Sequence, residues 1–447
     1  FRRVLFRSAG LADRFTRGRD DRPLALVLAA IAAIAIGHAM SLHHRSDFPG
    51  FLPWIGGALV LLVLALVQPR AIDRVAPRIS REALLLAVLA VGITWGAWEL
   101  LTVPDELPIP GPAGRWLEGS DARTLVVVAW ILAITGLRRE APLGRWQMPA
   151  LIAVVGILGI WLIKVMTDPP IDVWVFQRDA AQHLLSGANP YAMDFPNIYD
   201  HTRYYGEGVV VDGRVTYGYP YLPVTLAFYV PTEAIAADPR FGNLAALLLA
   251  AGLIAWAHRG PVARGALGML LLTPTVLFIL RYSWTEPVVL LALAATIAAA
   301  VRAPRLTGIA LGLFLTVKQY CLLAVPLALL LLRRQDGRRG AVVLAAGAIV
   351  AGALATIPFA LWDLPAFTKA IVEIQSHTAM RMDSLGFGPI VATLAGGDVP
   401  GWLPFTAAGL AVLLCLVVAP WTPSGFALST AVALFVFFIL ARQAFPN

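Results

Sequence analysis

MPALIAVVGILGIWLIKVMTDPPIDVWVFQRDAAQHLLSGANPY, residues 148 to 191, decides how the rest of the chain is read. Residues 148–166 are apolar except for Gln147's neighbourhood at one end and Lys164 near the other. That length approaches the roughly 20 apolar residues needed to cross a hydrocarbon core of about 30 Å. The next residues turn abruptly polar. They hold Asp172, Arg178, Asp179 and His183, and close on Gly187-Ala188-Asn189-Pro190-Tyr191. An ordinary wet loop is one explanation for so many ionisable groups at a membrane boundary; a functional loop is the other.

Composition sets the frame. Of 447 residues, 59% are hydrophobic and 14% charged, and the mean hydropathy is +0.74. A soluble protein of this size needs far more polar surface, so the chain reads as a polytopic helical membrane protein. The net charge of +8 does not point to nucleic acid. The basic residues sit in short links between apolar runs, where they set topology. Cys321 and Cys415 fall inside apolar runs and read as small buried hydrophobes, not as a disulfide or a thiol metal site. Residues 1–8 (FRRVLFRS) resemble a translated sequencing adapter and are set aside, and the stop at Asn447 reads as a truncation.

Five apolar runs, 24–42, 51–67, 83–103, 122–137 and 148–166, alternate in the charge of their links. Arg14, Arg17, Arg19 and Arg22 mark the cytoplasmic side before the first, and Arg70, Arg74, Arg78 and Arg81 mark it after the second. The acidic, Pro/Gly-rich link 104–121 lies outside, and Arg138, Arg139 and Arg145 return inside. The stretch after run five is therefore extracytoplasmic, with Lys164 snorkelling to the interface. Residues 172–185 fit an interfacial amphipathic helix whose apolar face is Val173, Phe176, Ala180 and Leu184. Gly187 would end it and Asn189-Pro190 would turn the chain. Residues 191–219 show no period, and a loop that long is usually functional.

Beyond the loop, 221–237 is interrupted by Pro223 and Pro231. It reads as a half-inserted segment, with a full crossing as the alternative. Further runs follow at 244–256, 266–280, 287–301, 341–361, 402–418 and 426–440. The run 306–332 suits two short helices meeting outside, with Lys318 at the tip. In this topology Asp172, Asp179, Arg203, Glu286, Lys318, His377, Arg381, Asp383 and Arg442 gather on the outer side. Ionisable groups at membrane depth are costly and usually face a cavity. Carboxylates can take a proton from a nucleophile, and cations can hold a phosphate and stabilise it as it leaves. Such a set suits sugar transfer from a lipid phosphate.

The outer-loop pattern from Asp172 to Tyr191, after an outward-going helix, resembles the first outer loop of the GT-C glycosyltransferases. It is similar to the bacterial polytopic mannosyltransferase-like group that includes glycosyltransferase family 87. Tyr219-Pro220-Tyr221-Leu222-Pro223 resembles that group's aromatic-Pro-Pro-Leu element, with Tyr221 in place of the second proline. Trp284-Thr285-Glu286-Pro287 resembles its second acidic motif, and 312–319 (GLFLTVKQ) its Gly-rich helix ending in Thr-x-Lys. Arg381-Met382-Asp383-Ser384 and the segment 442–447 resemble later outer-face elements.

The resemblance implies an all-α, polytopic transmembrane bundle of GT-C type with an added N-terminal four-helix segment. Residues 1–22 would be cytoplasmic and 23–147 the added helices. Residues 148–360 would be the catalytic module, with outer loop 168–220, and 361–447 the second outer loop and last helices. It implies transfer of a sugar from a polyprenyl-phosphate donor to a lipid, glycan or protein acceptor, with inversion, at the outer face of the inner (plasma) membrane.

Asp172 would be the base, or a helix N-cap. Glu286 would be a second catalytic carboxylate, or a favourable charge at a helix N-terminus. Lys318, Arg381 and Arg442 would contact phosphate, or be interface and loop charges. Asp179 would bind substrate, or pair with Arg178 or Arg203. Arg203 and His377 complete the substrate-binding set, and His183 and His377 also suit structural hydrogen bonds. No metal or other cofactor and no nucleic acid is implied; membrane lipids are the remaining partners. A transporter or lipid-carrier flippase is the rival reading, since it too would carry intramembrane charges and broken helices. A non-catalytic assembly subunit is a third.

Overall fold

The computed structural model describes residues 23–44, 52–67, 81–102, 120–167, 169–199, 204–332, 337–373, 381, 384, 386–397 and 399–442. These are almost wholly helical. The first helices are α1 (Pro23–His44), α2 (Leu52–Val67), α3 (Arg81–Thr102), α4 (Ser120–Thr135) and α5 (Gln147–Val165). Next come α6 (Asp172–Leu185), α7 (Leu226–Ala236), α8 (Arg240–Ala257), α9 (Pro261–Leu271), α10 (Pro274–Arg281), α11 (Glu286–Arg302) and α12 (Thr307–Leu315). The last are α13 (Gly337–Trp362), α14 (Leu364–Thr368), α15 (Gly388–Ala395), α16 (Leu403–Val418) and α17 (Pro423–Leu440).

Five helices among the described residues, α3, α5, α8, α13 and α17, are long and apolar enough to cross a membrane. The pair α9 and α10, bent by 46°, makes a sixth. The bend falls at Thr273-Pro274, where proline has no N–H for the ladder. Runs 122–137 and 287–301 form α4 and α11, of 16 and 17 residues, shorter than a full crossing. The helix α7 is 11 residues long, or about 16 Å, roughly half the hydrocarbon thickness. It stops at Ala237 in the left-handed region (φ 52°). Pro231, expected to interrupt this piece, lies inside the helix, and Pro223 opens the 3₁₀ turn before it.

Residues on both sides of position 147 share one apolar core. Ala97 of α3, Val126 and Ala129 of α4, Leu151 and Val155 of α5, Leu247 of α8 and Leu267 of α9 belong to it. The first four helices are thus packed into the bundle; α2 also touches α17. Arginines of the links between helices also bond the backbone. Arg264 donates to the carbonyls of Gly136 and Arg138, each at 2.6 Å, and Arg302 donates to that of Ala257 at 2.9 Å. Both satisfy carbonyls left over at helix C-termini.

The run 306–332 departs from the expected pair of α-helices. After α12 the chain turns at Lys318 and returns as two 3₁₀ segments, Gln319–Ala324 and Pro326–Leu331. Bonds of i→i+3 type join Cys321 to Lys318 and Val325 to Leu322, each at 3.0 Å. Pro326 would interrupt an α ladder, and tighter turns on either side satisfy the carbonyls instead. This return, α12 and α13 line a half-open apolar groove of about 600 Å³. It is lined by Leu311, Leu315, Thr316, Leu322, Leu329 and Ala348, among others.

The helix α13 packs mainly on α12 and leaves Val342, Val343, Ile349, Val350, Leu354 and Leu361 exposed. That apolar stripe is what a lipid-facing helix requires. The α12–α13 contact is close because of glycine. A Cβ at Gly312 would lie 2.2 Å from the Ala348 carbonyl oxygen, and one at Gly308 2.6 Å from that of Leu344. Backbones this close are typical of small-residue helix interfaces in membranes. Gly312→Ala is expected to lower the thermal unfolding midpoint of the detergent-solubilised protein by several degrees, because the helices must separate. Gly252→Ala, where a Cβ meets nothing within 4 Å, should leave it within error. Equal midpoints would show that the contact is not this tight.

Candidate active site

The helix α6 carries Asp172 at its first position. Its N-cap is Ile171, in extended conformation, so Asp172 does not cap the helix as the sequence alone allowed. Instead its Oδ1 accepts the Val173 N–H at 2.8 Å. Its Oδ2 accepts the Tyr205 hydroxyl at 2.9 Å, and its own amide lies 3.4 Å from the Tyr199 oxygen. The C-terminus of α6 is closed by Gly187 at φ 82°, with Gly187 N–H on the Leu184 carbonyl and Ala188 N–H on that of His183, each at 3.0 Å. That is the paired-bond cap that glycine favours.

The buried face of α6 is Trp174, Val175, Phe176, Gln177, Ala180 and Ala181. It is rotated from the expected Val173, Phe176, Ala180 and Leu184 face. The helix is wedged against α7 and the protein interior, not laid on a flat surface. Gln177, fully buried, makes the decisive contact. Its amide N–H donates to the Ser283 carbonyl, and its Oε1 accepts the Ser283 hydroxyl. Ser283 holds φ 56° in the turn between α10 and α11. Asn243 of α8 lies 3.5 Å from the Ser283 hydroxyl and accepts Tyr229 of α7 at 3.0 Å. The far end of α6's support is Asp238. It takes Arg240 in a fork (2.6 Å at its shortest), while Arg240 also donates to the Met166 carbonyl at 2.6 Å, ending α5.

Three residues beyond Ser283, Glu286 opens α11. Its Oε1 accepts Lys318 Nζ at 2.6 Å and the Tyr320 hydroxyl at 3.3 Å, while its Oε2 is buried without a hydrogen-bond partner. Lys318 Nζ lies 5.0 Å over the Tyr221 ring and 5.4 Å from that of Tyr320. Gln319 next to it donates to the Pro220 carbonyl at 2.9 Å, which fixes the loop bearing Tyr221 against the Lys318 tip. Burial, helped by the charges of Asp172 and Glu286, holds the Tyr221 phenol in its protonated form.

Arg381 belongs to the Asp172 group. Its guanidinium stacks 3.7 Å over the Tyr204 ring and acts on the Asp172 charge. Its amide donates to the Arg442 carbonyl at 3.0 Å. Arg442 reaches this region through that backbone bond, while its Nε donates to the Val399 carbonyl at 3.0 Å. Asp179, two turns along α6, lies in a different group. It pairs with Arg178 at 2.8 Å, and Arg178 sits 4.4 Å over the Trp174 ring. Arg203, His377 and Asp383 lie outside the described residues. Among the described residues, no three His, Cys, Asp or Glu side chains gather in a metal-binding arrangement.

The loop 191–219 is built into the main core of the bundle, contrary to its aperiodic sequence. Strands β1 (Phe195–Pro196), β2 (Val210–Val211) and β3 (Arg214–Val215) form an antiparallel sheet in the order β1-β3-β2. Phe195, Val215, Tyr191 and Tyr219 are buried beneath it. Asp212-Gly213, both at positive φ, make the β2–β3 turn; an Asp-Gly pair between valines is the sequence signal that marks such a hairpin. Gly218, at φ 68°, is required, since a Cβ there would lie 2.1 Å from the Tyr191 carbonyl oxygen. Tyr199, Tyr205, Tyr221 and Tyr320 are thereby brought to the carboxylates. As single residues they carry no local signal; the pairings span the chain.

Burial raises the proton affinity of Asp172, against the lowering effects of Tyr205, the Val173 amide, Tyr199 and Arg381. The arrangement is chemically a partly screened base beside a carboxylate–ammonium pair in an aromatic setting. No protein-family model matches the chain, and neither does a curated protein or a solved structure.

A raised carboxyl binds its proton more readily in the folded state, so it lowers stability as pH rises from the unfolded value near 3.8 through the folded value. Asp172→Asn is therefore expected to unfold at a higher temperature than wild type at pH 7, with the difference shrinking toward pH 4. Thermal melts across that range check it; a difference independent of pH would contradict the burial effect.

Proposed function

We propose that this chain is a membrane glycosyltransferase of the GT-C type, acting at the extracytoplasmic face on a polyprenyl-phosphate sugar. The observation that carries the reading is the Lys318–Glu286 pair, with Lys318 over the Tyr221 ring, in a chain whose buried carboxylate Asp172 is held by the Tyr205 hydroxyl. Lys318 lies two residues beyond Thr316, which lines the half-open apolar groove of about 600 Å³. A cation close in the chain to an apolar groove suits a lipid chain that carries a phosphate.

In this mechanism Asp172 takes the proton of an acceptor hydroxyl as its oxygen attacks the anomeric carbon. The bond from that carbon to the phosphate oxygen breaks, and the phosphate leaves with the electron pair. One displacement inverts the anomeric centre. Lys318 holds the departing phosphate, and Arg381 adds positive charge on the Asp172 side. Charge-assisted contacts of this kind act where charge develops. Glu286 positions Lys318 through Oε1, and its unpartnered Oε2 can accept a hydrogen bond from a sugar hydroxyl. The acceptor is a lipid, glycan or protein hydroxyl.

A transfer assay in nanodiscs, with radiolabelled polyprenyl-phosphate sugars and a membrane lipid extract as acceptor, tests this. Asp172→Asn should lose about 100-fold or more in rate, the usual size of a general-base effect. Lys318→Met should raise the donor KM by about tenfold, one lost charged contact. Wild-type transfer by Asp172→Asn would remove the base assignment.

A further inference from the structure

This inference rests on Asp172 being the base. The groups facing its carboxylate come from several elements: Val173 on its own helix, Tyr199 and Tyr205 from the loop before β2, Tyr217 and Tyr221 after β3, and Arg381. Three of them bond it. The Val173 amide holds Oδ1 and the Tyr205 hydroxyl holds Oδ2, at 2.8 and 2.9 Å, and Tyr199 adds a further side-chain hydrogen bond to the carboxylate. A carboxylate held at one oxygen alone can still rotate about its χ2 bond, a broad torsion. Held at both, it keeps one plane.

Tyr205 is itself held in place. Its ring tilts 45° to that of Tyr199, 6.1 Å away, and Tyr199 packs edge-on to Tyr204 at 4.8 Å. Tyr204 in turn carries the Arg381 guanidinium. Burial and the Asp172 charge both keep the Tyr205 phenol in its neutral, donating form. A base that must accept a proton has no use for a donor unless the donor orients it, since each donor weakens the base.

We propose that Tyr205 is the positioning residue of Asp172: its hydroxyl fixes the plane of the carboxylate and sets how readily Asp172 accepts the acceptor's proton. Tyr205 makes no claim on substrate here. Its effect passes through Asp172.

The test uses the full chain in nanodiscs and needs no substrate. Dicyclohexylcarbodiimide adds to protonated carboxyls in apolar surroundings, so the pH dependence of its adduct at Asp172, read by peptide mass spectrometry, reports proton occupancy. Tyr205→Phe removes the donor and should move the midpoint up by about one pH unit. A 3,5-difluorotyrosine at position 205 keeps the ring and the bond but donates more strongly, so it should move the midpoint down. Opposite shifts distinguish a hydrogen bond from structural damage, which would move both variants alike. An unchanged midpoint, or shifts of one sign in both, overturns the proposal. The labelling stands apart from transfer: opposite shifts in a protein whose transfer rate ignores Asp172 would retain Tyr205's hold on the carboxylate and remove the base assignment.

Discussion

The bundle depends on one reciprocal pairing between side chain and backbone in an apolar interior. Gln177 gives its amide N–H to the Ser283 carbonyl and takes the Ser283 hydroxyl in return. Both residues are fully buried. An amide in such surroundings costs several kcal/mol unless it is bonded, so the two segments have one acceptable register. Ser283 sits at φ 56°, a conformation that non-glycine residues rarely hold without outside support. Gln177 supplies that support. It lies five residues beyond Asp172, and Ser283 lies three residues before Glu286. The pairing therefore fixes the spacing of the two carboxylates without touching either.

A second constraint fixes α6 from below. Arg240 is buried with its guanidinium on Asp238 and on the carbonyls of Met166 and Ile163. These are orphan carbonyls at the end of α5, and a cation there is doubly favourable. The Asp238 carboxylate also lies 3.4 Å from the Trp174 indole nitrogen. The exit of the membrane helix, the start of the interfacial helix and the start of α8 thus meet at one ion pair. Breaking a buried pair by removing one partner leaves an uncompensated charge, typically costing about 3–5 kcal/mol. The start of α6 is therefore fixed against the ends of two longer helices.

Much of this was legible in the sequence. Apolar run lengths gave most of the helices, because hydrophobic period is local, whereas Pro231 was read as an interruption and lies inside α7. Gly187 announced the end of α6 for the same reason. The face of α6 was misread because Trp174 and Gln177 have partners 64 and 106 residues away, which no local period contains. The 3₁₀ return after Lys318 follows from Pro326, but the apolar pattern alone does not distinguish it from an α-helix. The sheet over 195–215 carried its one local mark in Asp212-Gly213. Of the polar residues singled out for the site, Asp172, Glu286, Lys318 and Arg381 come together around the tyrosines. Asp179 does not, since an adjacent arginine takes its carboxylate.

The Lys318–Glu286 pair has a consequence for how a phosphate could be received. At 2.6 Å, with side chains only 10% and 14% exposed, the ammonium is already neutralised. A phosphate that approaches must compete with Glu286 for it. Glu286 would not be left as an isolated charge by that exchange, because Tyr320 already donates to the same oxygen and α11 begins at Glu286 with its positive dipole end. Lys318 for its part retains the faces of Tyr221 and Tyr320. Each partner thus has a second stabilising neighbour, which lowers the cost of separating them. In the proposed transfer the pair is a resting state: it keeps a cation desolvated, close in the chain to the apolar groove, until an anion attached to a lipid chain replaces the carboxylate. The acid and the cation thus belong to one device, in which each holds the other in place and each has a second neighbour when the other is taken.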